Sequence, residues 1–228
     1  MEHQINSKIK DYSEAFQYKI DYRLFEDWET SKLEEVYENG SPRDRKNAAL
    51  YSLQLAVDER VEQKISSETY EKVLASAIGH IDSYYHSQPE PELVIPETDK
   101  TTRRSGFPGW ERWIDNFVDR IDQTPDITVP VASGGLEHGI LTAIRKDTEL
   151  NIIRYSPNDH RDNKVLDWQP GIYHDKNIAV IDDSSTTGET LEAASKHAQE
   201  HGANEVQTHA ADELITDLEF WAEMYLEN

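Results

Sequence analysis

Residues Asn177–Leu191 read NIAVIDDSSTTGETL. Four apolar residues, Ile178–Ile181, run straight into the adjacent acids Asp182 and Asp183. Ser184, Ser185, Thr186 and Thr187 follow, then Gly188 and the opening of TLEAASKHAQEHG (190–202), whose spacing is helical and closes on Gly202. A short apolar run bounded by turn signals reads as a buried strand. The stretch is therefore strand, loop and helix, with two carboxylates at the mouth of the strand.

The same alternation extends on both sides. ITVPVA (Ile127–Ala132) is a short apolar strand ended by Ser133, Gly134 and Gly135, and LEHGILTAIRK (Leu136–Lys146) returns as a helix. LNIIRYS (Leu150–Ser156) predicts a second strand, residues 157–176 an irregular polar segment, and EVQTHA (Glu205–Ala210) a last strand. WERWIDNFVDRI (Trp110–Ile121) has helical spacing. Strands alternating with helices predict an α/β fold, an open, doubly wound, mostly parallel sheet.

Residues 1–90 differ in texture. Ser41, Pro42 and Asp44 carry a helix-start signal: a hydroxyl cap, proline at the first helical position and an acid in the first turn. Leu50, Leu53, Val57 and Val61 then recur on one helical face, and Tyr70, Val73, Leu74, Ile78 and Ile81 repeat the pattern after Ser66–Ser67. Residues 87–108 hold four of the nine prolines and predict a linker or extended excursion, in which Arg103 and Arg104 are a solvated pair or an anion contact. The expected division is a helical N-terminal region over 1–105 and an α/β domain over 106–228.

In an open α/β sheet, ligands bind at the carboxyl edge of the strands. SSTTGET falls there and leads into a helix N-terminus, whose free amides and dipole suit a phosphate. Asp182 and Asp183 would repel that phosphate, so they serve a group beside it. A vicinal diol fits, because ionised carboxylates only accept hydrogen bonds and each hydroxyl has one to donate. A diol beside a phosphate is a ribose 5-phosphate. Neither GxxxxGK[ST] nor GxGxxG occurs, which sets aside the common nucleoside triphosphate and dinucleotide loops.

Ile178–Thr190 resembles the phosphoribosyl diphosphate signature of type I phosphoribosyltransferases, with its apolar run, two acids and hydroxyl-rich loop. The resemblance extends to Ile127–Gly135, similar to that family's pyrophosphate loop, and to His201–Val206; it spans residues 110–210 and leaves the N-terminal half uncovered. It implies Mg²⁺-dependent transfer of ribose 5-phosphate from phosphoribosyl diphosphate to a nitrogenous base or related amine acceptor. Asp182 and Asp183 would hold the ribose hydroxyls, directly or through the hydration shell of Mg²⁺. Thr186, Thr187, Gly188, Glu189 and Thr190 would wrap the 5-phosphate, and Ala132, Ser133, Gly134 and Gly135 the pyrophosphate. A mobile loop within Asn158–Lys164 would bring Arg161 and Lys164 to the leaving group. Partners would be the two small molecules and a second copy of the chain.

Ser184 and Ser185 stand where aliphatic residues are usual, and Ser133 where many members carry lysine or arginine. Thr186 replaces the acid of 6-oxopurine-specific members. A ligand-sensing module without turnover, or an interaction protein built on the helical half, are the other functional readings. His138, His160 and His174 are candidates to face the site, without metal-ligand spacing among them.

Composition bounds the rest. The absence of cysteine excludes disulfides, zinc–thiolate centres and cysteine nucleophiles. The segment MEHQINSKIKDYSE has no signal-peptide core, and no apolar run approaches the roughly 20 residues of a membrane span, so a soluble, cytoplasmic protein is expected. The formal charge of −22 argues against duplex nucleic acid, which demands a basic face, and reads either as an ordinary acidic surface or as adaptation to a high-salt cytosol.

Overall fold

The computed structural model describes residues 30–98, 114–121, 123–132, 134–155, 165–167, 169–183 and 188–211. Three helices come first: α1 (Thr30–Asn39), α2 (Pro42–Val61) and α3 (Ser67–His86). The start signal at Ser41 is a complete capping box. The Ser41 hydroxyl accepts from the Asp44 N–H and the Asp44 carboxylate accepts from the Ser41 N–H at 3.0 Å. A short helix α4 (Ile114–Asp119) follows, within the expected 110–121; residues 99–113 lie outside the described residues.

The α/β part then runs β1 (Ile127–Ala132), α5 (Leu136–Lys146), β2 (Glu149–Leu150), β3 (Ile153–Tyr155), β4 (Val165–Leu166), a 3₁₀ turn (Pro170–Tyr173), β5 (Asn177–Asp182), α6 (Glu189–Glu200) and β6 (Glu205–Ala210). The sheet order is β4-β3-β1-β5-β6, with β2 also on β1. All pairs are parallel except β3 with β4. The expected mostly parallel α/β class is the class observed.

Two sequence expectations change. The strand expected over 150–156 is broken into β2 and β3. Both halves keep one register against β1, since Ile127 pairs with Glu149 and Val131 with Ile153. The gap lies opposite Pro130. The Asn151 N–H donates to the Thr128 carbonyl, so Pro130, two residues on, faces the same side with no N–H to donate. The segment expected to be irregular over 157–176 contains β4 and the 3₁₀ turn, too short to leave a period in the sequence.

Alternation along the strands divides the core. Ile127, Val129, Val131, Ile178 and Val180 join α6 and the 3₁₀ turn in one cluster. Ala132 and Ile181 point the other way, into a cluster with α2, α3, α4 and α5. Helix α5 comes close enough there that a Cβ on Gly139 would strike Pro130. The N-terminal helices thus share a core with the sheet, while the expected boundary at 105/106 lies outside the described residues. Helix α2 buries two faces rather than the single stripe anticipated: Leu50, Leu53 and Val57 on the first, Ala48 and Leu55 on the second.

The proline-rich stretch is, over residues 87–98, an extended strap docked on these helices. The hydroxyls of Ser52, Ser76, Ser83 and Tyr37 donate to the carbonyls of Val94, Glu92, Gln88 and Pro91. Ser76 also accepts from the Val94 N–H at 3.1 Å. Ser76→Ala leaves both strap groups without this partner and is expected to cost about 2 kcal/mol, lowering the melting temperature by roughly 6 °C. Calorimetry that finds a shift under a degree would show the strap to be held by other contacts.

Candidate functional site

The strand order places a topological switch point between β1 and β5. From β1 the chain turns through α5 toward β3, on one side of the sheet; from β5 it turns through α6 toward β6, on the other. The carboxyl ends of β1 and β5 are neighbours, and their connections diverge. Such a switch point opens a crevice where α/β proteins bind ligands.

The described residues beside this switch point belong to the two stretches singled out in the sequence. Asp182 ends β5 and is buried, and its carboxylate accepts from the Asp183 N–H at 2.9 Å. Asp183 is half-buried. The backbone at Gly134 lies directly against the Asp183 carboxylate, where a Cβ would overlap the carboxylate oxygens. At Gly135 a Cβ would collide with the Ile181 carbonyl. Both glycines are needed for close approach of one loop to the next strand. Gly135 also caps α5, its N–H donating to the Val131 carbonyl at 2.9 Å.

Ala132, Gly134, Gly135, Asp182 and Asp183 are therefore brought together at one edge. Gly188 adopts φ +74°, the left-handed conformation, and starts α6, with Glu189 and Thr190 in its first turn. Ser133, Ser184, Ser185, Thr186, Thr187, Arg161, Lys164, His160, Arg103 and Arg104 lie outside the described residues. His174 does not face the crevice. It precedes β5, at the opposite end of the strand from Asp182, and is exposed beside Asp175 at 2.9 Å. The ring of buried His138 packs edge-on against Phe117, 5.3 Å between centroids.

Sequence reading missed Arg154. From the middle of β3 its guanidinium donates to Asp58 of α2 at 2.9 Å and to the carbonyls of Ala132 at 3.0 Å and Tyr155 at 3.2 Å. A charged residue inside the apolar run NIIRY was the available signal. Also missed was buried Lys46 of α2, which pairs with Glu137 in the first turn of α5. Tyr85 of α3 donates to the same Glu137 oxygen at 2.8 Å.

Among the described residues, no group of three or more His, Cys, Asp or Glu side chains could hold a metal ion. At the switch point Asp182 and Asp183 supply two adjacent carboxylates, hard oxygen donors. That set suits Mg²⁺, which takes one or two carboxylates and completes its shell with water and substrate phosphate. No helix among the described residues is long and apolar enough to cross a membrane.

Among the described residues, geometry and topology define an α/β protein with an acid pair packed against a glycine turn at its switch point. No protein-family model matches the chain. Over 111 residues it is 28% identical to an orotate phosphoribosyltransferase of Staphylothermus marinus, covering 42% of this chain and 53% of that protein. The chain thus spans about half the length of the curated relative it matches. Among solved structures it is similar to a purine phosphoribosyltransferase from Pyrococcus horikoshii, at 26% identity, TM-score 0.40, with 44% of this chain and 70% of that one covered. It is also similar to an orotate phosphoribosyltransferase from Aeropyrum pernix, at 20% identity, TM-score 0.36, covering 50% and 66%.

Proposed function

We propose that the protein is a phosphoribosyltransferase that moves ribose 5-phosphate from phosphoribosyl diphosphate to a nitrogenous base or related amine, releasing pyrophosphate. The observation that carries this is the meeting of Gly134 and Gly135 with Asp182 and Asp183 at the β1–β5 switch point. The likeness to an orotate phosphoribosyltransferase supports the same reading.

In this reading Asp182 and Asp183 hold the ribose 2- and 3-hydroxyls, directly or through the hydration shell of Mg²⁺. The 5-phosphate sits on the amides and hydroxyls of residues 186–190, where the α6 dipole favours an anion. The acceptor nitrogen bonds to the anomeric carbon as the bond to pyrophosphate breaks, and positive charge develops on the ring. The loop amides of residues 132–135, with Arg161 and Lys164, take up negative charge on the departing group, and they accelerate the reaction only so far as they bind it more tightly in the transition state. Mg²⁺, when bound at Asp182 and Asp183, supplies charge neutralisation for the pyrophosphate oxygens.

Isothermal calorimetry with phosphoribosyl diphosphate and Mg²⁺ tests the site. Asp183→Asn is expected to weaken binding at least tenfold, a loss of about 1.4 kcal/mol. Unchanged affinity in that variant removes the assignment. Release of pyrophosphate with one of a panel of bases tests turnover. Binding without release from any base would assign the site to a non-catalytic sensor instead.

A further inference from the structure

We infer that the N-terminal helical layer is a working part of the site, and that α2 positions the β1–α5 loop from both ends through Asp58–Arg154 and Lys46–Glu137. The two α2 residues lie twelve positions apart, about 18 Å along the helix axis. Asp58 holds the Arg154 guanidinium, which donates to the carbonyl of Ala132, the last residue of β1. Lys46 holds Glu137, just after the first residue of α5, with Tyr85 on the same oxygen and the Tyr84 ring 4.7 Å from the ammonium. Gly134 and Gly135 lie between these anchors.

The physical consequence concerns peptide orientation. A peptide unit is planar, so holding its C=O also restrains the direction of its N–H. A guanidinium that fixes the Ala132 carbonyl therefore fixes the peptide with which the loop begins. The Glu137 anchor fixes the helix start at which the loop ends. Loop amides aimed before the ligand arrives avoid the cost of ordering later. Both Asp58 and Arg154 are partly exposed, and an ion pair of that kind adds little to global stability. Its removal should thus disturb the loop more than the fold. This inference concerns the site proposed above, and part of its test does not depend on that function.

The experiment compares wild type with Asp58→Asn, Arg154→Gln, the double variant, and Lys72→Gln, which breaks an exposed pair on α3. In ligand-free protein labelled with ¹⁵N-glycine, the Gly134 and Gly135 amides should move in the first three variants, more than the other eight of the ten glycines, and stay in place in Lys72→Gln. Pyrophosphate release should fall about tenfold in kcat for each single variant, as expected for a small misplacement of reacting groups. The KM for phosphoribosyl diphosphate should stay within about threefold, and the double variant should be no worse than either single, because both act through one contact. Loss with Arg154→Gln but not with Asp58→Asn would overturn the inference, since Arg154 would then act on the ligand directly. Unmoved glycine amides would overturn it too, even in a protein without turnover. Absence of phosphoribosyl diphosphate binding by wild type would remove the proposed function and leave the amide shifts to decide the positioning role.

Discussion

Asp167→Ala is expected to lower the melting temperature by roughly 10 °C, corresponding to about 4 kcal/mol for a chain of this size. Asp167 lies just after β4 with its side chain fully buried. One carboxylate oxygen accepts from the Tyr173 hydroxyl at 2.6 Å and from His197 Nε2 of α6 at 3.0 Å. The other accepts from the Gln169 N–H at 2.8 Å and from the Asn151 amide at 3.2 Å. Alanine removes the acceptor for all four donors, and buried donors without partners are costly. Asn151 also donates to the Tyr173 oxygen at 2.6 Å, so the loss propagates through a connected network.

The same carboxylate sets a pH dependence. Burial by itself pushes the Asp167 carboxyl up, but hydrogen bonds from His197, Tyr173, Gln169 and Asn151 outweigh it and hold the group below its ordinary value of 3.8. A carboxyl depressed by folding stabilises the native state above its unfolded value and loses that contribution as pH falls through its folded one. Thermal melts should therefore show a wild-type advantage over Asp167→Ala that is full at neutral pH and shrinks below about pH 4. A shift under 2 °C, or an advantage that grows in acid, would contradict this account.

Gly134→Ala is expected to cut pyrophosphate release about a hundredfold, because a misplacement near 1 Å suffices for a loss of that order. The added Cβ would occupy the position of the Asp183 carboxylate, which has to rotate away or push the loop off β5. Either response separates the acid pair from the loop amides, the two features on which the proposed function rests. The damage is local: Gly134 lies in a loop at the sheet edge, so the melting temperature should fall by only a few degrees, by about 1–2 kcal/mol of overpacking. Retention of wild-type turnover would show that close apposition of Gly134 and Asp183 has no part in the chemistry. A collapse in melting temperature matching that of a core variant would show instead that the loop supports the fold.

The features legible in the sequence were those whose causes lie within a few residues. The strands at Ile127–Ala132 and Asn177–Asp182 announced themselves by apolar runs stopped by glycine or acid, α5 by its helical spacing, and α2 by the Ser41–Asp44 capping box. The acid pair and the glycine loop could each be read as candidate ligand elements for the same reason. Their meeting was implied by the family resemblance alone and by no pattern in the residues themselves. It depends on β1 and β5 being neighbours whose connections diverge, a property of strand order that no local pattern encodes.

Tertiary structure also decided everything that joins distant positions. Lys46 reaches Glu137 across 91 residues and Asp58 reaches Arg154 across 96, pairings that give no periodicity and no motif. The docking of residues 87–98 by hydroxyls on α1, α2 and α3 was hidden because a serine that satisfies a strap carbonyl looks like any other serine. The break between β2 and β3 was hidden because its cause, Pro130, sits on the neighbouring strand. Local composition determined the elements and the chemistry each could offer. Packing determined which of them meet, because long-range partners are selected by burial, shape and charge in three dimensions rather than by position along the chain.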